Sequence, residues 1–271
     1  MDFEVLHQGL LAIGYSDDTA DAKIAHDIVL KAICDAGFHD HLTIKGGVVM
    51  SGLTNVVRRA TMDMDVDFLH YSLANESIRK FVSRLSRVAP CRISIKGRIV
   101  LLKQQEYKGK RIFLTLTDAA KHVIETKIDV GVHTREEVVQ GDLEFKMSSG
   151  GEPVTLLVNS KEQIFVEKLK SLLRFGGAST RYKDVYDMYY LSSSVRSRTL
   201  LDYIRLYVFQ DAKMREKTND DICRRLTRIF SNADYMKGLS NPACAWMDVD
   251  PVTATKGIVD SIKRLEIAAS L

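Results

Sequence analysis

Residues 61–68 of the chain read Thr-Met-Asp-Met-Asp-Val-Asp-Phe, and over residues 62–68 apolar and acidic residues alternate strictly. Such alternation is typical of a half-buried β-strand, because successive side chains of a strand point to opposite faces. The stretch therefore predicts a core strand with one apolar, packed face. Its other face carries three carboxylates, those of Asp63, Asp65 and Asp67.

This row of carboxylates predicts a metal site. The Cα atoms of Asp63 and Asp65 would lie two strand rises, or roughly 6.6 Å, apart. Carboxylates this close repel one another and are costly to bury, and a divalent cation such as Mg²⁺ or Mn²⁺ relieves both penalties. The alternative is an edge strand that displays its charges to solvent, since edge strands use charge to block aggregation.

Residues upstream of the strand favour the metal site. Gly46 and Gly47 stand at a strand-to-helix junction, where backbone N–H groups can approach a phosphate and the helix dipole favours the anion. Val48 follows, so these N–H groups would have to bind phosphate without help from a hydroxyl. Arg59 and Thr61 share the parity of the acids if the strand extends back to them, and either could contact phosphate.

A further strand acid is Asp129, which lies in Lys-Ile-Asp-Val-Gly-Val at residues 127–132. The apolar residues of this stretch have the opposite parity, so it predicts a second strand whose carboxylate could join the metal site. A solvated strand acid is the alternative, because periodicity does not identify neighbouring strands.

The periodicity divides the chain into two predicted lobes, residues 1–155 and 156–271. The first lobe is expected to hold a mixed or antiparallel sheet with helices, the second a helical bundle. In the first lobe we predict helices over residues 19–37, 48–57 and 75–88, strands over 41–45, 62–68, 93–104, 111–116 and 123–132, and a turn at 107–110. In the second lobe we predict helices over residues 161–175, 183–191, 199–209, 220–230 and 252–269.

Two charged positions of the second lobe stand out. Lys168 is in helical line with Ile164 and Leu172, so it falls on the apolar side of its helix. It could reach a triphosphate, or its stem could be buried while its ammonium stays in water. Asp184 and Arg181 fall near a predicted helix start, where capping is the simpler explanation for the acid.

Composition excludes several classes. The formal net charge of +4 over 271 residues is too small for a general nucleic-acid coat. Four scattered cysteines indicate reduced thiols, and no leader or membrane-length apolar run occurs, so we expect a cytoplasmic protein. A basic stretch could follow an RNA backbone, although most such stretches are solvated helix faces; it comprises Lys213, Arg215, Lys217, Arg224, Arg225 and Arg228.

Several separated blocks of the chain resemble known families. The glycine pair, the Arg-x-Thr-x-Asp-x-Asp motif at residues 59–65 and the strand acid Asp129 resemble the DNA polymerase β-like nucleotidyltransferase superfamily. Residues 162–169 (Glu-Gln-Ile-Phe-Val-Glu-Lys-Leu) and 180–187 (Thr-Arg-Tyr-Lys-Asp-Val-Tyr-Asp) resemble the AbiEii/AbiGii toxin family, which includes the MenT toxins. The resemblance covers about residues 43–191.

The resemblance implies an α+β fold, in which a nucleotidyltransferase-type mixed sheet flanked by helices precedes a helical-bundle lobe that completes the active-site cleft. It implies transfer of a nucleotide from an NTP to an acceptor, for some relatives a tRNA acceptor end, by the toxin of a toxin–antitoxin pair with a cognate antitoxin protein as partner.

The residue roles that the resemblance implies are these. The metal ligands would be Asp63, Asp65 and Asp129, with Asp129 also helping to deprotonate the acceptor. Lys168 and Asp184 would be catalytic, and Asp187 would support structure. The nucleotide would contact Gly46, Gly47, Arg59, Thr61, Lys168 and Arg181. Many relatives have an apolar residue where this chain has Asp67, which puts the exact set of metal ligands in doubt.

The sequence is also compatible with two other functions. The same core could transfer a nucleotide to a small molecule, as antibiotic-modifying relatives do. It could also be a non-catalytic module that binds RNA or an antitoxin, although the retained carboxylates argue against this.

Overall fold

The computed structural model describes residues 1–102 and 109–269, with side chains up to Leu265. The chain forms two compact units, Met1–Asn159 and Ser160–Leu271. No helix in the described part of the chain is both long enough and apolar enough to cross a membrane.

The first unit contains one mixed sheet and helices. Its described helices are α1 (Phe3–Ala12), α2 (Asp17–Asp35), α3 (Gly46–Thr54) and α4 (Asn75–Val88). Its described strands are β1 (Leu42–Lys45), β2 (Met64–Phe68), β3 (Arg92–Ile95), β4 (Val100–Leu101), β5 (Lys110–Thr117), β6 (Val123–Val132), β7 (Gln140–Phe145) and β8 (Val154–Asn159).

The sheet has the order β3-β5-β6-β2-β1-β8-β7, with β4 paired to β5. The two central strands β2 and β6 run parallel, and β2 is antiparallel to β1. Because β2 has a neighbour on each side, it is an internal strand, which excludes the edge-strand alternative for its aspartates.

One face of β2 packs into the core. Met64, Val66 and Phe68 are each 1% exposed, and the Phe68 ring makes an edge contact with Phe81 of α4 at a centroid distance of 5.3 Å. Helix α4 buries Phe81 because its apolar residues recur at helical spacing. The other face of β2 carries Asp65 and Asp67.

The second unit is helical. Its described helices are α5 (Lys161–Phe175), α6 (Tyr182–Leu191), α7 (Ser197–Ile204), α8 (Asn219–Phe230), α9 (Ala233–Leu239) and α10 (Pro251–Ala269). A 3₁₀ turn at Gly176–Ala178 follows α5, and a π-helical turn at Arg205–Phe209 follows α7.

The predicted fold class, a mixed sheet flanked by helices and followed by further helices, is confirmed. Strand β2 is shorter than predicted and begins at Met64, because β1 ends at Lys45, opposite Asp65, where the chain turns into α3. The strand predicted over residues 93–104 is two strands, interrupted near Gly97, which has a φ of +69°. Its last two residues, and residues 107–108 of the predicted turn, lie outside the described residues.

The N-terminus is tied to the connection between β5 and β6. Asp118 accepts hydrogen bonds from the Phe3 N–H (3.0 Å), the His122 N–H (2.8 Å) and the His122 ring (3.0 Å). Burial raises the pKa of Asp118, but these hydrogen bonds outweigh it and lower the pKa to about 2. The hydrogen bond to Asp118 raises the pKa of His122 above 6.5.

This pair predicts a pH-dependent stability. The contribution of Asp118 is complete above about pH 4 and is lost as the pH falls towards 2. The contribution of protonated His122 is complete below pH 6.5 and is lost as the pH rises through the higher pKa of the folded state. The free energy of unfolding of the wild type should therefore exceed that of His122→Gln most between pH 4 and 6.5. Denaturant titrations would measure it, and a constant difference from pH 5 to 9 would contradict the assignment.

Candidate catalytic site

A glycine turn lies directly beside the acids of β2. Helix α3 begins at Gly46, whose φ of +66° is a left-handed conformation that favours glycine. A Cβ atom on Gly46 would lie 2.8 Å from Asp65 Oδ2, and one on Gly47 would lie 2.5 Å from Thr61 Oγ1. The turn can approach Asp65 and Thr61 this closely only because it lacks side chains.

Aspartates from two strands meet at the centre of the sheet. Asp65 of β2 and Asp129 of β6 are direct Cα partners in the parallel pair, which places them on the same face of adjacent strands. Asp63 precedes β2, and its side chain is 53% exposed. The negative charges of Asp129, Asp63 and Asp67 all act on Asp65, and these four acids are called the cluster below.

Each of the other acids in the cluster has a cationic partner. Arg111 of β5 donates to both oxygens of Asp129, at 2.7 and 2.8 Å. Lys127 Nζ lies 2.9 Å from Asp63 Oδ1. The third pair joins Lys45 Nζ to Asp67 Oδ1, at 2.7 Å.

Asp65 differs from these acids. Among the described residues, no group donates a hydrogen bond to its carboxylate. Burial is the main cause that raises its pKa to about 6; Lys45 opposes the shift, and the neighbouring acids add to it. A partly buried carboxylate without a donor, among other carboxylates, is suited to a hard divalent cation that gains from a cluster of oxygen ligands. The donor set therefore fits Mg²⁺ or Mn²⁺.

A second group of potential ligands lies elsewhere. In the described part of the chain, ligand atoms of Asp2, Asp118 and His122 lie within 4.8 Å of one another. Both oxygens of Asp118 already accept hydrogen bonds, and the raised pKa of His122 favours its protonated form, which cannot bind a metal. Asp63 and Asp129 also have cationic partners, which a metal would have to displace, but Asp65 receives no hydrogen bond from the described residues. We therefore explain the Asp2, Asp118 and His122 group as a structural contact.

The expectation that Arg59 lies on the strand face with the acids does not hold. Strand β2 starts five residues later, and Arg59 is buried in a 3₁₀ turn at Val57–Arg59. Thr61 also lies outside the strand, yet it is the residue against which Gly47 packs. The structure thus brings Gly46, Gly47, Thr61 and Asp65 together and gives Arg59 an interior position.

In the second unit, Lys168 is 9% exposed and forms ion pairs with two residues of α6. One is Asp184; the other is Asp187, whose carboxylate is fully buried and lies 2.9 Å from Lys168 Nζ. Arg181 is exposed and caps the N-terminus of α6, where Ser179 Oγ accepts a hydrogen bond from its N–H. Lys168 is therefore a buried ion-pair residue whose ammonium faces two acids.

Three cations of the site were not identified from the sequence, namely Lys45, Arg111 and Lys127. Lys127 lies two residues before Asp129, and Lys45 directly precedes the glycine pair, so proximity was a usable signal. Arg111 reaches Asp129 only through the β5–β6 register, in which the two are Cα partners.

The family is shown by comparison with known proteins. A family model described as "Nucleotidyl transferase AbiEii toxin, Type IV TA system" matches residues 28–243, well over half of the chain. The protein is thus of the nucleotidyltransferase class, and it belongs to the AbiEii toxin family of type IV toxin–antitoxin systems.

Other comparisons add little. No match was found among the curated proteins. One similar solved structure is described as an antigenic nucleotidyltransferase-like protein from Paracoccidioides brasiliensis, with 16% sequence identity, coverage of 79% of this chain and 92% of that chain, and a TM-score of 0.41.

The ion pair between Arg111 and Asp129 leads to a prediction about Mn²⁺ affinity. Arg111 occupies both oxygens of Asp129, so an ion that binds there would have to displace it, and Arg111→Gln is expected to tighten Mn²⁺ binding about tenfold, or about 1.4 kcal/mol. An electron paramagnetic resonance titration of free Mn²⁺ would measure it. Lys96→Gln, which removes a cation directly after β3 that pairs with the exposed Glu125, is the matched control. Weaker binding in Arg111→Gln would mean that Arg111 instead holds Asp129 in position for the ion.

Proposed function

We propose that this protein is a metal-dependent nucleotidyltransferase that moves a nucleoside monophosphate from an NTP to an RNA acceptor, with a tRNA acceptor end as the expected target. The observation that carries the proposal is the register of Asp65 with Asp129 on adjacent strands, beside a side-chain-free turn at a helix N-terminus. Membership of a nucleotidyltransferase toxin family supports it.

In this proposal Asp63, Asp65 and Asp129 hold a Mg²⁺ or Mn²⁺ ion, which when bound neutralises triphosphate charge and polarises the α-phosphate. Backbone N–H groups at Gly46 and Gly47 bind phosphate oxygens. The acceptor hydroxyl oxygen bonds to the α-phosphorus, the bond from that phosphorus to the bridging oxygen breaks, and pyrophosphate leaves. Asp129 takes the hydroxyl proton at one carboxylate oxygen, which requires Arg111 to release that oxygen.

The family resemblance is the reason to propose Lys168 and Asp184 as catalytic. Two ion pairs hold the Lys168 ammonium in a defined position, which suits a cation that stabilises a phosphate leaving group. We expect Lys168→Ala to weaken NTP use.

The RNA acceptor and the antitoxin partner are proposed from the family, and the charge of the chain is compatible with an RNA acceptor. The net charge of +4 allows binding to a polyanion, and in the basic stretch of residues 213–228 Lys213, Lys217, Arg224 and Arg228 are exposed. The toxin of a toxin–antitoxin system requires an antitoxin, which we expect to be encoded beside it.

The test is incubation of purified protein with each α-labelled NTP, Mg²⁺ and total tRNA, with Asp63→Asn/Asp65→Asn as the control. The expected result is label in RNA with the wild type and none with the double variant. Label that appears only when small molecules are supplied would favour the antibiotic-modifying alternative. No label with any NTP, metal or acceptor would favour a non-catalytic binding module.

A further inference from the structure

Asp67 is buried, and its carboxylate fits only because the residue opposite it on β6 is a glycine. In the sheet it is the direct partner of Gly131 on β6, and a Cβ atom on residue 131 would lie 2.1 Å from Asp67 Oδ1 and 3.6 Å from Lys45 Nζ. Any larger residue at position 131 would displace the Asp67 carboxylate. The glycine therefore provides the space in which the Asp67–Lys45 pair lies.

The pair also places a positive charge beside Asp65. Lys45 is the Cα partner of Asp65 on the adjacent strand, but its ammonium lies 2.7 Å from Asp67, two residues further along β2. Lys45 thus donates its hydrogen bond to Asp67, and its charge acts on Asp65 from a distance, lowering the Asp65 pKa against the effect of burial. Asp65, as described above, receives no hydrogen bond from the described residues.

The three ion pairs of the cluster differ in exposure. The side chains of Lys127 and Arg111 are 36% and 32% exposed, so exchanging these cations for a metal ion costs less than exchanging a more buried one. The side chains of Lys45 and Asp67 are 17% and 6% exposed. Separating this more buried pair would leave a desolvated carboxylate without its partner, which is unfavourable. The Lys45–Asp67 ion pair is therefore expected to stay intact when a metal ion binds.

We propose that Asp67 is a positioning residue and not a metal ligand: it holds Lys45 away from the Asp65 carboxylate and so keeps Asp65 available to a divalent cation. The proposal rests on the proposed function, because it assumes that the cation binds at Asp65.

A pair of variants tests the proposal by Mn²⁺ affinity, measured by electron paramagnetic resonance titration. Asp67→Asn frees the Lys45 ammonium to pair with Asp65, so Mn²⁺ affinity should fall about tenfold. Asp67→Asn/Lys45→Met removes both charges, so affinity should return to within about threefold of the wild type or exceed it. Gly131→Ala, which displaces Asp67 without removing a charge, should behave like Asp67→Asn. Asp142→Asn on the exposed face of β7 is the matched control.

Three outcomes would overturn the inference. Equal loss of Mn²⁺ affinity in Asp67→Asn and in the double variant would make Asp67 a metal ligand. Unchanged affinity in Asp67→Asn, with only a lower melting temperature, would make the pair structural. Wild-type Mn²⁺ binding that survives Asp63→Asn/Asp65→Asn would overturn both this inference and the proposed site. Loss of binding in that variant, together with either of the first two outcomes, would overturn the inference alone.

Discussion

Asp65→Asn should lower nucleotide transfer by roughly 10³-fold or more while the fold remains intact. The amide cannot supply the negative charge on which the proposed ion depends, and Asp65 is the acid at the centre of the cluster, between Lys45 on β1 and Asp129 on β6. Initial rates with α-labelled NTP under saturating Mg²⁺ would measure the loss, and circular dichroism would verify the fold.

The same variant should also be more stable than the wild type when a chelator is present. The folded-state pKa of Asp65 is about 6, raised from 3.8, so the folded wild type loses stability relative to the unfolded chain as the pH rises from about 4 to about 6. Asparagine does not ionise and escapes this loss, which amounts to about 2 to 3 kcal/mol at neutral pH. Asp142→Asn, an exposed strand acid, should change neither activity nor stability. Full activity in Asp65→Asn would remove the metal hypothesis.

Lys168→Met should destabilise the second unit by about 3 kcal/mol, because the substitution leaves the buried Asp187 carboxylate without the ammonium that it faces. Chemical denaturation followed by tyrosine or tryptophan fluorescence would measure the change. Lys161→Met, at the half-exposed start of the same helix, is the matched control and should cost much less.

A second variant separates the structural role of Lys168 from its proposed role in transfer. Lys168→Met/Asp187→Asn removes both charges and should recover part of the lost stability, since an uncharged pair is tolerated where a single buried charge is not. Transfer activity should not recover. Recovery of both stability and activity would assign Lys168 to structure alone.

Local pattern predicted the elements whose residues bury one face. The helix predicted over residues 75–88 and the strand predicted over 123–132 coincide with α4 and β6, because each has an uninterrupted apolar periodicity. The in-line position of Lys168 among apolar residues also indicated burial, and the residue is 9% exposed. These features depend only on neighbours in sequence.

The remaining features depend on contacts between distant residues. The proposed roles of Lys45 and Gly131 depend on strand register, which places Gly131 opposite Asp67 and Lys45 opposite Asp65, from where its side chain reaches Asp67. Strand β2 begins where its antiparallel partner β1 ends, so parity alone could not show that Arg59 lies outside the strand. Strands β7 and β8 and helices α1 and α9 were not predicted, since their apolar periodicity is short.

The most direct test of the central claim is the position of Mn²⁺ in crystals grown with the ion and a non-hydrolysable NTP, located by anomalous scattering. We predict a peak between the carboxylates of Asp63, Asp65 and Asp129, with Arg111 withdrawn from at least one oxygen of Asp129. A peak at Asp2, Asp118 and His122 instead, or none near Asp65, would contradict the account.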